Sequence, residues 1–363
     1  MAFMQNNKDV RIIYSIYKSK KRKGCIYYIK IKIERKIYMS YEFSFYKDED
    51  FDEIEQIILA SYQWEYPVWG LSRHEFTKGL HPAFTGNYNA WYDTVGVYRE
   101  NGKVAACAIN EGNYDGEVFF LFDSKERGED KDLHRDMIKF AKTYAAHIKE
   151  DRRTRSVNLY VPVWNTVLKD MILQSGFHEV ESGEELYILP FDKKPFEVKL
   201  PHGYTFADGY TTPDFYLSSI HRQSFGYGRD DHACEHGEQA FHDLRKMKHY
   251  QKNLDICVLD EQQRPVAMAM IWHDDNMPFC ELEPLGVVWW ERRKGIATAI
   301  LHEAANRVQL MFPECRGMLG GDQTFYKKIG YKKEAFIPLY HWELEVIISW
   351  EKESYDKDYA KEV

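Results

Sequence analysis

Apolar residues recur along this chain in an order that is run through twice. Between 50 and 61 they fall at Phe51, Ile54, Ile57 and Ile58, the spacing that buries one face of a helix. Two short apolar runs, 96–98 and 103–109, then flank Asn101-Gly102 and predict a hairpin. A strand over 117–122, a helix over about 132–148, a strand over 156–161 and a helix over 163–174 follow, closing at Gly176-Phe177. The second half repeats the order: helix 214–223, hairpin strands 254–259 and 265–272 around residues 260–263, strand 279–287, helix 295–311, and a short helix ending at Gly330-Tyr331. Equivalent points lie 162 residues apart at Val104 and Val266, and 154 apart at Gly176 and Gly330. Two copies of one α/β unit is the economical reading. Pro190, Pro195 and Pro201 punctuate the polar stretch between them, which reads as a stiffened linker.

Length agrees with two domains, since 363 residues at roughly 100–200 per domain leave a sizeable core in each half. The 15% aromatic content is too rich for a disordered chain. No run approaches the roughly 18–20 apolar residues of a membrane span, and the N-terminus lacks the apolar core and small residues of a signal peptide. Six scattered cysteines (25, 107, 234, 257, 280, 315) form no C-x-x-C pair, which indicates neither a zinc nor a disulfide framework and fits a reducing cytoplasm. The net charge of -8 hides an asymmetry: residues 1–40 hold 11 Lys and Arg against 2 Asp and Glu, leaving 38 basic against 55 acidic residues in the rest. An acidic body argues against a nucleic-acid-coating role. The basic arm reads either as an upstream extension, with Met39 as the start, or as an added strand over 26–37. The expected organisation is a basic extension over 1–39, a first domain over 40–192, a linker over 193–201, a second domain over 202–350 and a charged tail over 351–363.

The richest chemistry lies between Leu285 and Thr298. A strand ends there, a short loop turns, and a helix begins at a run of cations and small residues, Arg292-Arg293-Lys294-Gly295-Ile296-Ala297-Thr298. Small residues let a ligand approach the main chain, and the free N–H groups of a first helical turn attract an anion. Ile296, Ile300, Ala304 and Val308 give that helix an apolar stripe that would fix it on a sheet. A solvated basic helix cap would show the same pattern without binding anything.

The segment 291–301, ERRKGIATAIL, resembles the Q/R-x-x-G-x-G/A signature of the GNAT superfamily of N-acetyltransferases, with Arg292, Gly295 and Ala297 in its defining places. Residues 325–331, FYKKIGY, resemble the later aromatic-Tyr-x-x-x-Gly-aromatic motif of the same family. The resemblance implies a mixed α+β sheet in two tandem GNAT-like domains, with acetyl-coenzyme A lying between two splayed strands; the spacing of Cys and His leads to the expectation of no metal. It implies that Leu285, Gly286 and Val287 pair with the pantetheine arm, and that the pyrophosphate sits on the amides of Arg293 to Thr298, helped by the charges of Arg293 and Lys294. Trp289 stands where many members have Pro, and Asp322 or Gln323 would replace an Asn that contacts pantetheine. Tyr326 occupies the place from which members offer a hydroxyl to the leaving thiolate; a buried aromatic is the other reading. Moving an acetyl group to an amine also needs a base, and Glu283 or Glu281 fits, because residues two apart share a strand face; a cross-strand ion pair would use the same residues.

The first copy lacks this machinery. Its corresponding loop, 123–132, is acidic and has no R-x-x-G-x-A, so a degenerate copy is expected, one that covers the active half or forms a wall of the acceptor site. Aromatic segments 62–69 and 88–92 would line that wall or fill the core. Asp230, Asp231, His232, Cys234, His236 and His242 are close in sequence, but the spacing lacks the Glu of a metalloprotease helix, and contacts to the acceptor are the better use. The expected activity is transfer of an acetyl group to a primary amine of a small molecule or peptide. The alternative is a non-catalytic acyl-coenzyme A sensor or scaffold.

Overall fold

The computed structural model describes the chain except residues 1–3, 8–9, 22–23, 35–40, 80–89, 112–115, 150–153, 227–230 and 346–363, and describes no side chains for 1–40, 79, 90 and 231–236. It forms two compact units, Met1–Glu42 and Phe43–Val363. In the first, strands β1 (Met4–Asn7), β2 (Val10–Lys21) and β3 (Gly24–Glu34) make an antiparallel sheet, so the apolar-basic alternation read over 26–37 falls largely in a strand. The charged tail lies outside the described residues.

The second unit is built on one thirteen-stranded sheet. Its first half contributes β4 (Glu42–Phe45), helices α1 (Phe51–Ser61), α2 (Leu71–Gly79) and α3 (Ala90–Thr94), then β5 (Gly96–Glu100), β6 (Lys103–Ile109), β7 (Glu117–Phe122), α4 (Lys131–Thr143), β8 (His147–Ile148), β9 (Thr154–Tyr160), α5 (Thr166–Gln174) and β10 (His178–Pro190). Its second half contributes β11 (Thr205–Asp208), α6 (Asp214–Phe225), α7 (Asp231–Leu244), β12 (Asp255–Leu259), β13 (Pro265–Trp272), β14 (Cys280–Val287), α8 (Ile296–Met311), β15 (Gly317–Gly320), α9 (Thr324–Ile329) and β16 (Lys332–Glu345). The helix expected to reach residue 148 stops at Thr143, because His147 and Ile148 pair instead with Arg155 and Ser156 of β9.

Local chemistry accounts for the elements. In α1, Ile54, Ile57 and Ile58 are buried while Asp52 and Glu53 sit in the first turn, where the helix dipole favours acids. In α8, Ile296, Ile300, Ala304 and Val308 are buried along one stripe, and the helix packs on β12, β13 and β14. Strand β13 is buried at every position from Val266 to Trp272, so both of its faces are covered, by α8 and by α6 among others. No helix among the described residues is long and apolar enough to cross a membrane.

The halves exchange their last strands. In the sheet order β14-β15-β10-β16-β9-β7, the closing strand of the first half, β10, pairs with β15 of the second, Ile188 facing Leu319. The closing strand of the second half, β16, pairs with β9 of the first, Tyr340 facing Leu159, and β10 and β16 pair with each other. A hydrophobic cluster follows the exchange, with Met277, Phe279, Leu319 and Ile337 packed among Ile54, Trp69 and Phe119. Residues 193–201 are strapped to α8: Asn306 exchanges hydrogen bonds with Phe196, and the His302 ring meets the Glu197 carbonyl at 2.7 Å.

Candidate active site

Strands β14 and β15 run parallel but pair only at Cys280 with Met318 and Glu281 with Leu319. Beyond Leu282 the register of β14 against β13 shifts, and β14 continues on β13 alone to Val287. A gap therefore opens between the second part of β14 and the end of β15. Two cavities fill it, of about 490 and 360 Å³, and both are bounded by Leu285, Gln323 and Tyr326.

The larger cavity lies over the start of α8. Gly295 caps that helix with φ 84, a left-handed conformation in which glycine carries no steric penalty, and no side chain caps the first turn. A Cβ at Gly295 would meet nothing within 4 Å, so the approach to the turn is open. Val287, Arg292, Arg293, Gly295, Ile296, Ala297 and Thr298 border the space. Glu291 borders it as well, while Gly286 and Lys294 are not among its walls. Gly286 faces α6, since a Cβ there would stand 2.9 Å from the Ser224 hydroxyl, and Lys294 donates to Glu291 at 2.8 Å. The Arg292 guanidinium donates to the carbonyls of Val287 and Ser224, tying the end of β14 to α6.

The corresponding helix of the first half, α4, carries a carboxylate at its start. At the start of α4 the Asp130 carboxylate accepts from the N–H groups of Asp132 and Leu133, at 2.9 and 3.2 Å. A carboxylate thus already occupies the position that α8 leaves bare.

The smaller cavity runs from Tyr326 towards the first half and is acidic. Glu281, Glu283 and Glu184 border it together with Arg73. Arg73 pairs with Glu111 at 2.7 Å and with Glu184 at 3.8 Å, and its guanidinium lies over the Phe119 and Trp69 rings. Burial opposes its charge, but Glu111, Glu184, Glu117 and Glu283 outweigh that and hold it protonated.

Glu281 and Glu283 share β14 but not a role. Glu281 is buried: one oxygen accepts from the Tyr62 hydroxyl, and the other from the Ser72 N–H at 2.8 Å. Gly70 permits this, since a Cβ there would stand 2.6 Å from Oε1. Burial raises the Glu281 pKa while these donors pull it back. Glu283 is exposed towards the cavity, with protein crowding around it; desolvation raises its pKa, Arg73 opposes, Glu111 and Glu281 add to it, and the result is about 7. Tyr326 is half-buried, and desolvation with the Glu283 charge pushes its hydroxyl up to about 12, so it carries its proton at neutral pH.

No protein-family model and no curated protein matches the chain. Solved structures do share its architecture. The GCN5-related N-acetyltransferase from Sphaerobacter thermophilus aligns over 85% of this chain and 96% of its own at 14% identity, with a TM-score of 0.51. A tandem GNAT protein from the clavulanic acid biosynthesis pathway aligns over 84% and 98% at 11% identity, with a TM-score of 0.53. The chain has the GNAT fold. The acidic cavity is shared between the halves.

Sequence reasoning passed over Ser72, Arg73, Glu111 and Glu184. The first two sit on α2, whose buried positions include His74 and Glu75 and so give no clean apolar period. Glu184 reaches the site only through the exchanged strand β10. Of the aromatic segments, Tyr62 and Trp69 are buried in the core, while Pro67 and Val68 border the cavity; Tyr88 lies outside the described residues. The side chains of Asp230, Asp231, His232, Cys234 and His236 also lie outside them, and His242 pairs with Asp214 at 3.0 Å.

Proposed function

We propose that the protein transfers an acetyl group from acetyl-coenzyme A to a primary amine of a small molecule or peptide, using the second half for the donor and the seam between the halves for the acceptor. The observation that carries this reading is that two unlike cavities share the walls Leu285, Gln323 and Tyr326, with a bare helix turn on one side and a group of carboxylates on the other. The donor fits the chain's own groups. The uncapped amides of Ile296, Ala297 and Thr298 suit a pyrophosphate, and the side of β14 left unpaired by β15 suits the amides of a pantetheine arm. Bound acetyl-coenzyme A supplies the activated acyl thioester.

The chain supplies the proton handling. An amine enters as an ammonium ion, and the carboxylates of Glu184 and Glu283 favour that charge in the acceptor cavity. Glu283 then takes a proton from the ammonium, a task for which a pKa of about 7 is well matched. Glu281, its oxygens held by Tyr62 and Ser72, orients α2 against β14. Tyr326 holds the proton that the departing sulfur takes up. The first half acts as the wall of the acceptor site, and its own anion position is filled by Asp130. The free, buried thiols of Cys107, Cys257, Cys280 and Cys315 suit a reducing cytoplasm.

The test is thiol release from acetyl-coenzyme A across a panel of mono- and polyamines and basic peptides. Turnover with cationic acceptors, lost in Glu283→Gln and Tyr326→Phe, supports the reading. Ligand binding without turnover on any amine would replace it with the sensor.

A further inference from the structure

At the seam between the halves, away from the cradle, three ligand-type side chains converge. Glu55 of α1, Glu75 of α2 and His249, in the segment after α7, are all buried, and one ligand atom from each lies within 4.8 Å of the others. His249 Nε2 meets Asp274 Oδ2 at 3.2 Å, and its Nδ1 faces Glu75 Oε1 at 2.6 Å and Glu55 Oε2 at 3.6 Å. When Nε2–H donates to Asp274, the neutral ring turns the lone pair of Nδ1 towards two carboxylates. Three electron-pair donors then face one point.

A proton on Nδ1 satisfies the contact with Glu75 but not the third donor. Glu55 Oε1 accepts from Lys248 at 2.7 Å, while Oε2, fully buried, has no hydrogen-bond partner. An orphan carboxylate oxygen in a buried site is costly. Charge points the same way. With His249 protonated, the three carboxylates of Glu55, Glu75 and Asp274 exceed the two cations by one; a divalent ion in place of that proton brings the group to neutrality.

We propose that Glu55, Glu75 and His249 bind a divalent first-row transition-metal ion, with Asp274 orienting the imidazole, and that the ion ties α1 and α2 to the second half. Tetrahedral zinc with bonds of about 2.0–2.1 Å sets its ligand atoms roughly 3.3 Å apart. The 3.6 Å separation from Glu55 is close to that, and the 2.6 Å contact with Glu75 opens by under about 1 Å. A carboxylate on the outer nitrogen is the usual partner of a metal-bound histidine. Because α2 also carries Ser72 and Arg73, the ion would steady the helix that holds Glu281 and borders the acceptor cavity.

The experiment uses the full chain, stripped with a chelator and titrated with zinc ions in a calorimeter, with thermal unfolding as a second readout. The expected result is one equivalent per chain, and a midpoint raised by about 4 °C at a hundredfold excess over Kd. Glu55→Gln lowers affinity at least 100-fold, Asp274→Asn lowers it about 10–100-fold, and the pair His232→Ala/His236→Ala leaves stoichiometry unchanged. If Glu55→Gln does not fold, Asp274→Asn and the reversible loss of the midpoint shift on chelation decide. Absence of binding at millimolar zinc means that a shared proton holds the carboxylates and overturns the proposal. Binding that survives Glu55→Gln and Asp274→Asn, or that is lost with His232 and His236, overturns it as well.

Discussion

Replacing Glu283 by glutamine keeps the shape of the side chain and removes its ability to take a proton. In the wild-type protein a carboxyl with a pKa of about 7 is roughly 9% ionised at pH 6 and 91% at pH 8. The acceptor amine contributes its own pH dependence, but that is common to both proteins. The ratio of wild-type to Glu283→Gln kcat/KM should therefore rise about tenfold from pH 6 to pH 8, on top of a loss of roughly 10²–10⁴-fold at the plateau. Steady-state thiol release at half-unit pH intervals, with one acceptor and saturating acetyl-coenzyme A, measures it. Arg73→Gln adds a directional check: Arg73 opposes the raised pKa, so its loss moves the wild-type limb to higher pH. A ratio independent of pH would refute the assignment of Glu283 as base. So would a limb that disappears in Glu281→Gln and persists in Glu283→Gln.

Tyr326→Phe should lower kcat by about 10–100-fold while leaving acetyl-coenzyme A affinity within about twofold, read by steady-state kinetics and calorimetry; equal losses in both would make Tyr326 a packing residue. Ala297→Asp places a carboxylate in the first turn of α8, within the larger cavity, so acetyl-coenzyme A affinity should fall at least tenfold while the melting temperature holds or rises slightly, because acids favour a helix start. Ile300→Ala, at a fully buried position, should cost about 2–5 kcal/mol of stability in denaturant unfolding. Residues 40–192 and 202–350 expressed separately should aggregate and recover folded protein only together, since β15 needs β10 and β9 needs β16; a soluble, cooperatively melting single half would contradict the strand exchange.

What was legible in the sequence is what neighbours along the chain determine. The Asn101-Gly102 hairpin, the helix 51–61 and the turn at Gly295 are each specified within a dozen residues. The exchange of β10 and β16 was not legible, because the partner of Ile188 lies beyond residue 300 and neither strand's pattern names its neighbour. For the same reason the sequence could not place Glu184 in the cavity. Helix α2 escaped because His74 and Glu75, both buried, interrupt its apolar face. Arg292 and Lys294 have the composition of phosphate ligands, and the sequence does not show the further contacts such long side chains make: Arg292 donates to backbone carbonyls and Lys294 to Glu291, which borders the larger cavity. The acidic loop before α4 shows in the structure as a helix cap, Asp130 accepting from the N–H groups of Asp132 and Leu133.

One donor cradle, at the start of α8, is expected to work in this chain, although α4 begins in an equivalent place. Calorimetric titration of the purified protein with acetyl-coenzyme A tests this most directly. One equivalent per chain, weakened at least tenfold by Ala297→Asp, is the predicted result. Two equivalents, one that ignores Ala297→Asp, or no heat at millimolar ligand would contradict it.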